Sequence, residues 1–185
     1  MRRTLPGVNR VSDQVEIVLR GSSRASVMVA LAHGAGAGMD SDFMEACTVG
    51  LVERGLRVAR FEFPYMRRAR LVGGRRPPDR APVLIASWQE VIGRLRSRLN
   101  RGRKRLVIGG KSMGGRIASL VALENGVAGL VCLGYPFHPP GKPVGDRTKH
   151  LRSIDCPTLI VQGERDAFGS SAREPSATHS VLVLK

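Results

Sequence analysis

This sequence is poor in several things, and each shortage removes a class of protein. No apolar run reaches the roughly 18 to 20 residues needed to span a bilayer. Behind Arg2 and Arg3 comes no apolar stretch either, so neither a membrane anchor nor a secretion signal is expected. Cysteine is scarce: Cys47, Cys132 and Cys156 lie 85 and 24 positions apart. That odd number and wide spacing fit neither a disulfide framework nor a CxxC metal knuckle, and a reduced, cytoplasmic location is the expectation. Aromatic residues make up only 4%, too few for a base-stacking surface. Acidic residues are outnumbered 15 to 30, leaving a formal charge of +15.

What is present describes one ordinary globular unit. The 185 residues are 42% apolar and 24% charged, enough for one core and not for two. The basic excess is concentrated: residues 57–105 hold fifteen basic and three acidic side chains, a balance of +12. Such a stretch can attract a polyanion, an anionic lipid or an anionic substrate. Only five of the thirty basic residues are lysine, however, a bias that an arginine-rich genome explains as well as a binding patch does. Neither nucleic acid nor a membrane is therefore expected as a partner.

Short β-rich runs alternate with longer helical ones, the pattern of a mostly parallel sheet covered by helices. Residues 14–20 alternate like a half-exposed strand, and 26–32 (SVMVALA) is continuously apolar like a buried central one. A helix capped at Asp40 or Ser41 runs to Gly55, and 56–62 is the next strand. Residues 63–82, with Pro64, Gly73, Gly74, Pro77 and Pro78, read as a long basic surface loop carrying Arg67, Arg68, Arg70, Arg75, Arg76 and Arg80. A helix over 83–99, a strand over 105–109, a helix over 114–125 and strands over 128–133, 157–162 and 181–184 complete the order.

The most specific chemical signal is Gly110-Lys111-Ser112-Met113-Gly114, a G-x-S-x-G between a strand and a helix. A tight turn there would hold the Ser112 hydroxyl clear of the sheet as a nucleophile. The Met113 amide, at the helix N-terminus, would be a donor for a developing oxyanion. The bland alternative is a structural turn with Ser112 as an N-cap. A second oxyanion donor is expected from His33-Gly34-Ala35-Gly36-Ala37-Gly38, with Ala35 as the donor and Gly34 supplying the bend; otherwise this is a plain glycine turn with a structural His33. For the acid, Gly163-Glu164-Arg165-Asp166 follows a late strand, and Asp166 is preferred over Glu164. A base histidine should come after the acid in chain order. The only later one, His179, precedes the final strand and would stand at the wrong end of it. His138 and His150 lie in the loop region after 128–133 and read as solvated loop histidines. The four histidines show no metal-ligand spacing, and no cofactor is implied.

Two nucleotide readings fail on spacing. A P-loop would need glycine where Arg105 stands, and the third glycine of G-x-G-x-x-G falls on Met39.

Taken together, LAHGAGAGMDSDFM, RGLRVARFEFPYM, the RRPP segment, KRLVIGGKSMGGRIASLVA, GVAGLVCLGYPFHPPGKP and CPTLIVQGERDAFG resemble the small bacterial α/β-hydrolases of the KANL/Tex type, relatives of dienelactone hydrolase. The resemblance covers about residues 12–169. It implies an α/β-hydrolase fold, with Ser112 as nucleophile, Asp166 as acid and the 33–38 loop near the oxyanion hole; the length already points to a single domain over 1–185. The function it implies is serine-type hydrolysis of a small ester, thioester or related carbonyl substrate. Independently of the resemblance, the basic segment is expected to shape the substrate entrance through Arg67, Arg68, Arg75 and Arg76. From Ser170 onward the sequence departs from the family's pattern, which continues to a Gly-Asp-His segment carrying the base. The expectation is a truncated or divergent C-terminus at 170–185, an incomplete sheet edge prone to self-association, and doubtful turnover. The alternative is a non-catalytic interaction protein on the same scaffold.

Overall fold

The computed structural model describes residues 14–99, 105–139, 147–168 and 179–184. Seven strands lie within them: β1 (Ile17–Arg20), β2 (Val27–Ala32), β3 (Arg57–Phe61), β4 (Arg105–Lys111), β5 (Gly129–Leu133), β6 (Thr158–Gly163) and β7 (His179–Leu184). They form one sheet in the order β1-β3-β2-β4-β5-β6-β7. Only β1 runs antiparallel, and the remaining pairs are parallel. The continuous apolar run of β2 is explained by its central place, since Ala30 pairs with Ala59 on one side and Ile108 on the other. This register brings Ala32 level with Gly110 and Lys111 level with Leu133, so the strand ends form one edge, where open α/β sheets bind ligands.

Helices cover the two faces unequally. Helices α2 (Pro64–Val72), α3 (Ala81–Arg98) and α4 (Met113–Asn125) lie on one face over the main core, which includes Phe61, Tyr65, Trp88, Ile108 and Ile117. Helix α1 (Asp42–Glu53) packs Met44 against Val29, Leu31 and Val58 on the other. It is also tied to β3 by a 2.6 Å ion pair from the buried Arg60 to Glu45. Beyond α1 that face carries exposed leucines: Leu159 is 40% exposed and Leu182 51%. A 380 Å³ apolar groove, lined by Cys47, Leu51, Val107, Val131 and Leu133 among others, runs along the inner side of α1. Among the described residues no helix is long and apolar enough to cross a membrane.

One expected element is corrected. Residues 63–82 are not a continuous loop, because α2 occupies Pro64–Val72. Proline breaks a helix interior but suits its first position, where the missing N–H has no partner to lose. Phe63 is extended, Pro64 opens the helix and Gly73 at φ 77° ends it. Pro82, the second residue of α3, is tolerated for the same reason, and that helix begins two residues earlier than its periodicity indicated. Of the C-terminal segment 170–185, only 179–184 fall within the described residues, and they form β7.

Candidate active site

A single residue, Ser112, separates β4 from α4. It adopts φ 50° and ψ −115°, and among the described residues it is the only non-glycine with positive φ. Such a conformation costs about 1 to 3 kcal/mol and persists only where its surroundings hold it. Here the Ser112 N–H donates to the Leu133 carbonyl at 2.8 Å, and the Ser112 carbonyl accepts from Arg116 at 3.0 Å. Two glycines let the turn pack against β2: a methyl at Gly110 would lie 2.2 Å from the Ala32 oxygen, and one at Gly114 2.5 Å from the Ala32 and His33 oxygens. The side chain does not cap α4, which disposes of the N-cap alternative. A half-buried hydroxyl is thus held at the sheet edge beside the Met113 N–H, one of the first-turn amides that a helix leaves without an internal acceptor.

The 33–38 segment passes directly alongside. A methyl at Gly34 would lie 3.8 Å from Ser112 Cβ and 3.6 Å from the Lys111 oxygen. Those are ordinary contact distances, and Gly34 lacks a positive φ. His33 is fully buried. Its Nδ1 lies 2.7 Å from the Gly34 carbonyl and its Nε2 accepts the Phe63 N–H at 3.1 Å, which sets the tautomer with hydrogen on Nδ1. Burial holds this imidazole below its ordinary pKa, against the opposing pull of the Gly34 carbonyl and Asp40. His33 is therefore a neutral structural histidine. The Tyr65 hydroxyl lies 3.1 Å from the carbonyl oxygens of both Gly34 and Ala35.

After β6 the chain turns with Asp166 N–H on the Gly163 carbonyl at 3.1 Å. Asp166 Oδ1 accepts the Phe168 N–H at 2.9 Å, while Oδ2 would stand 3.2 Å from a methyl at Gly134. Gly134 follows Leu133, the acceptor for Ser112 N–H, so the carboxylate and the hydroxyl share one edge. Glu164 is exposed, and its amide is occupied by the Leu184 carbonyl at 2.8 Å. A depression of about 540 Å³ lies over Gly163, Glu164, Arg165, Asp166 and Leu184.

No histidine among the described residues is bonded to Ser112. His179 is the first residue of β7, level with Thr158 at the opposite end of the parallel strands. His150 is not a solvated loop residue: its Nε2 is 2.8 Å from Ser119 Oγ, two turns along α4 from Ser112, and burial with the nearby Arg116 lowers its pKa. His138 is half-buried, with Nδ1 3.1 Å from the Pro139 oxygen and its ring 6.5 Å from that of Phe168. Arg67 donates to the Gln14 carbonyl at 3.1 Å and Arg68 pairs with Asp79, while Arg75 and Arg76 are exposed between α2 and α3. Among the described residues no group of three or more His, Cys, Asp or Glu is placed to hold a metal. Tyr65 was missed because its segment reads as loop; a proline-opened helix starting after an extended aromatic residue was the available signal.

A family model described as an alpha/beta hydrolase domain matches residues 25–180. Among solved structures, a dienelactone hydrolase from Anabaena variabilis superposes with a TM-score of 0.72 at 20% identity, covering 92% of this chain and 79% of that one. An alpha-beta serine hydrolase homologue from Coxiella burnetii gives 0.68 at 20% identity, over 92% and 81%. A lidless α/β serine hydrolase from Xanthomonas campestris gives 0.67 at 17% identity, over 91% and 78%. At these identities the likeness is one of fold.

Proposed function

This chain belongs to the alpha/beta hydrolase domain family, and from that membership we propose that it is a serine hydrolase acting on a small ester, thioester or related carbonyl substrate through an acyl-enzyme on Ser112. The observation that carries the reading is the left-handed backbone of Ser112 at a one-residue strand-to-helix turn, with its hydroxyl unused as a cap. Strain of this kind at a polar residue is stored where it serves a site.

In this reading Ser112 Oγ bonds to the substrate carbonyl carbon as its proton passes to an acceptor. The carbonyl oxygen takes up negative charge between the N–H groups of Met113 and Ala35. The bond to the leaving alcohol or thiol then breaks with proton return, and water repeats the sequence to free the acid. Asp166, whose Oδ2 lies beside Gly134 at the end of β5, is the acid of this reading. The resemblance to KANL/Tex-type enzymes supports the same assignment of Ser112 and Asp166.

Because no imidazole among the described residues bonds to Ser112, the test uses a reagent more electrophilic than an ester. Incubation with a fluorophosphonate followed by peptide mass spectrometry should place one adduct on Ser112 and none on the Ser112→Ala variant. A folded wild-type chain that takes no label, or takes it equally after Ser112→Ala, overturns the proposal.

A further inference from the structure

The loop beside Ser112 has no positive φ at Gly34. Two buried side chains converge on it from below. His33 Nδ1 and the Tyr65 hydroxyl both reach the Gly34 carbonyl, at 2.7 and 3.1 Å, and the same hydroxyl reaches the Ala35 carbonyl at 3.1 Å. Tyr65 is 1% exposed, and its ring lies 5.8 Å from that of His33. Two successive carbonyls are therefore drawn inward around one phenol.

The consequence follows from peptide geometry. All the described peptide bonds are trans, so each carbonyl points opposite to the N–H of the next residue. Pulling the Gly34 and Ala35 carbonyls toward Tyr65 turns the N–H groups of Ala35 and Gly36 outward. Among the described residues no acceptor takes either of them. A methyl built on Gly34 would lie 3.8 Å from Ser112 Cβ, so the loop passes the hydroxyl on this side.

We propose that Tyr65 is a positioning residue for the oxyanion site: its hydroxyl fixes the 34–35 peptide plane so that the Ala35 N–H is aimed over Ser112 before substrate arrives. The inference rests on the serine-hydrolase reading above and adds to it a residue that never touches substrate. Fixing the dipole in advance removes reorganisation from the reaction step, which is how such donors act. The phenol is suited to this, because burial, with Asp79 and Glu62 nearby, raises its pKa and keeps the hydroxyl a donor throughout the working pH range. His33, neutral and already satisfied at Nε2, fixes the other side of the Gly34 carbonyl.

Tyr65→Phe keeps the buried ring and removes only the hydroxyl. In wild type and variant, the rate of phosphonylation of Ser112 is measured against reagent concentration, which separates the maximal rate from the concentration for half-saturation. The expected result is a maximal rate about 10-fold lower, with half-saturation and thermal midpoint little changed; outright loss of an oxyanion donor costs roughly 100- to 1,000-fold. A purely structural role would instead lower the thermal midpoint and leave the rate of the folded fraction alone, and that result overturns the proposal, as does an unchanged rate. If wild type takes no label, the serine-hydrolase reading fails and this inference with it; if wild type is labelled and Tyr65→Phe matches it, only the inference fails. Should Tyr65→Phe not fold, Tyr65→Trp and His33→Gln are compared by the same rate, and labelling of both at the wild-type rate overturns the proposal.

Discussion

Gly134 and Asp166 meet so closely that a methyl on Gly134 would stand 3.2 Å from Asp166 Oδ2, although the two residues are 32 positions apart. The approach links both halves of the candidate site. Gly134 continues from Leu133, whose carbonyl holds the strained Ser112 amide, so a shift in the β5 end moves serine and carboxylate together.

Gly134→Ala tests that coupling. Gly134 has φ 66°, a region that costs an L-residue roughly 1 to 2 kcal/mol, and the new methyl presses on Asp166 as well. Urea unfolding should show a loss of about 1 to 2 kcal/mol, accompanied by slower phosphonylation of Ser112. Unchanged stability and labelling would separate the two residues.

Gly114 and Gly36 form a matched pair of opposite outcome. A methyl at Gly114 would lie 2.5 Å from two backbone oxygens, whereas one at Gly36 meets nothing within 4 Å. Gly114→Ala should cost roughly 1 to 3 kcal/mol by overpacking. Gly36→Ala should stay within about 0.5 kcal/mol of wild type. Denaturant midpoints of the two variants check both.

Stability should decline as pH falls below about 6.5. Burial lowers the folded-state pKa of both His33 and His150. Above the unfolded-state value the histidines are neutral in both states and stability is fully present. Below it the unfolded chain binds protons that the folded chain refuses, and stability is lost until the lowered folded values are passed. His150→Gln should flatten part of this slope between pH 7.5 and 5.5 in urea titrations. An identical slope in the variant would exclude His150 as a contributor.

The three thiols should alkylate in two classes. Cys132 is fully buried with its Sγ 3.5 Å from the Gly115 carbonyl, and burial raises its pKa strongly. Cys47 and Cys156 are only partly covered, with smaller upward shifts, also from burial. Iodoacetamide at pH 8 should modify Cys47 and Cys156 slowly and Cys132 only on unfolding. Early labelling of Cys132 would contradict the packing of β5 against α4.

Elements whose information is local were legible in the residues. The apolar run of β2, the amphipathic spacing of α3 and the glycine-flanked Ser112 each declare themselves within a few positions. Helix α2 did not, because its identity depends on reading Pro64 as a starter, and only the burial of Tyr65 settles that. The partners of its arginines are equally hidden: Arg67 reaches Gln14 and Arg70 reaches Glu16, 53 and 54 residues away.

The order of the strands and of the helices other than α2, and the place of a serine between strand and helix, thus followed from the chain alone, since both rest on periodicity and on the turn chemistry of neighbouring residues. The sheet register, the approach of Gly134 to Asp166, the capture of Gly34 and Ala35 by Tyr65 and the engagement of His150 with Ser119 were decided only in three dimensions. Each joins residues separated by more than 20 positions, and pairing at that range is set by how strands align and cores pack, which no local pattern encodes.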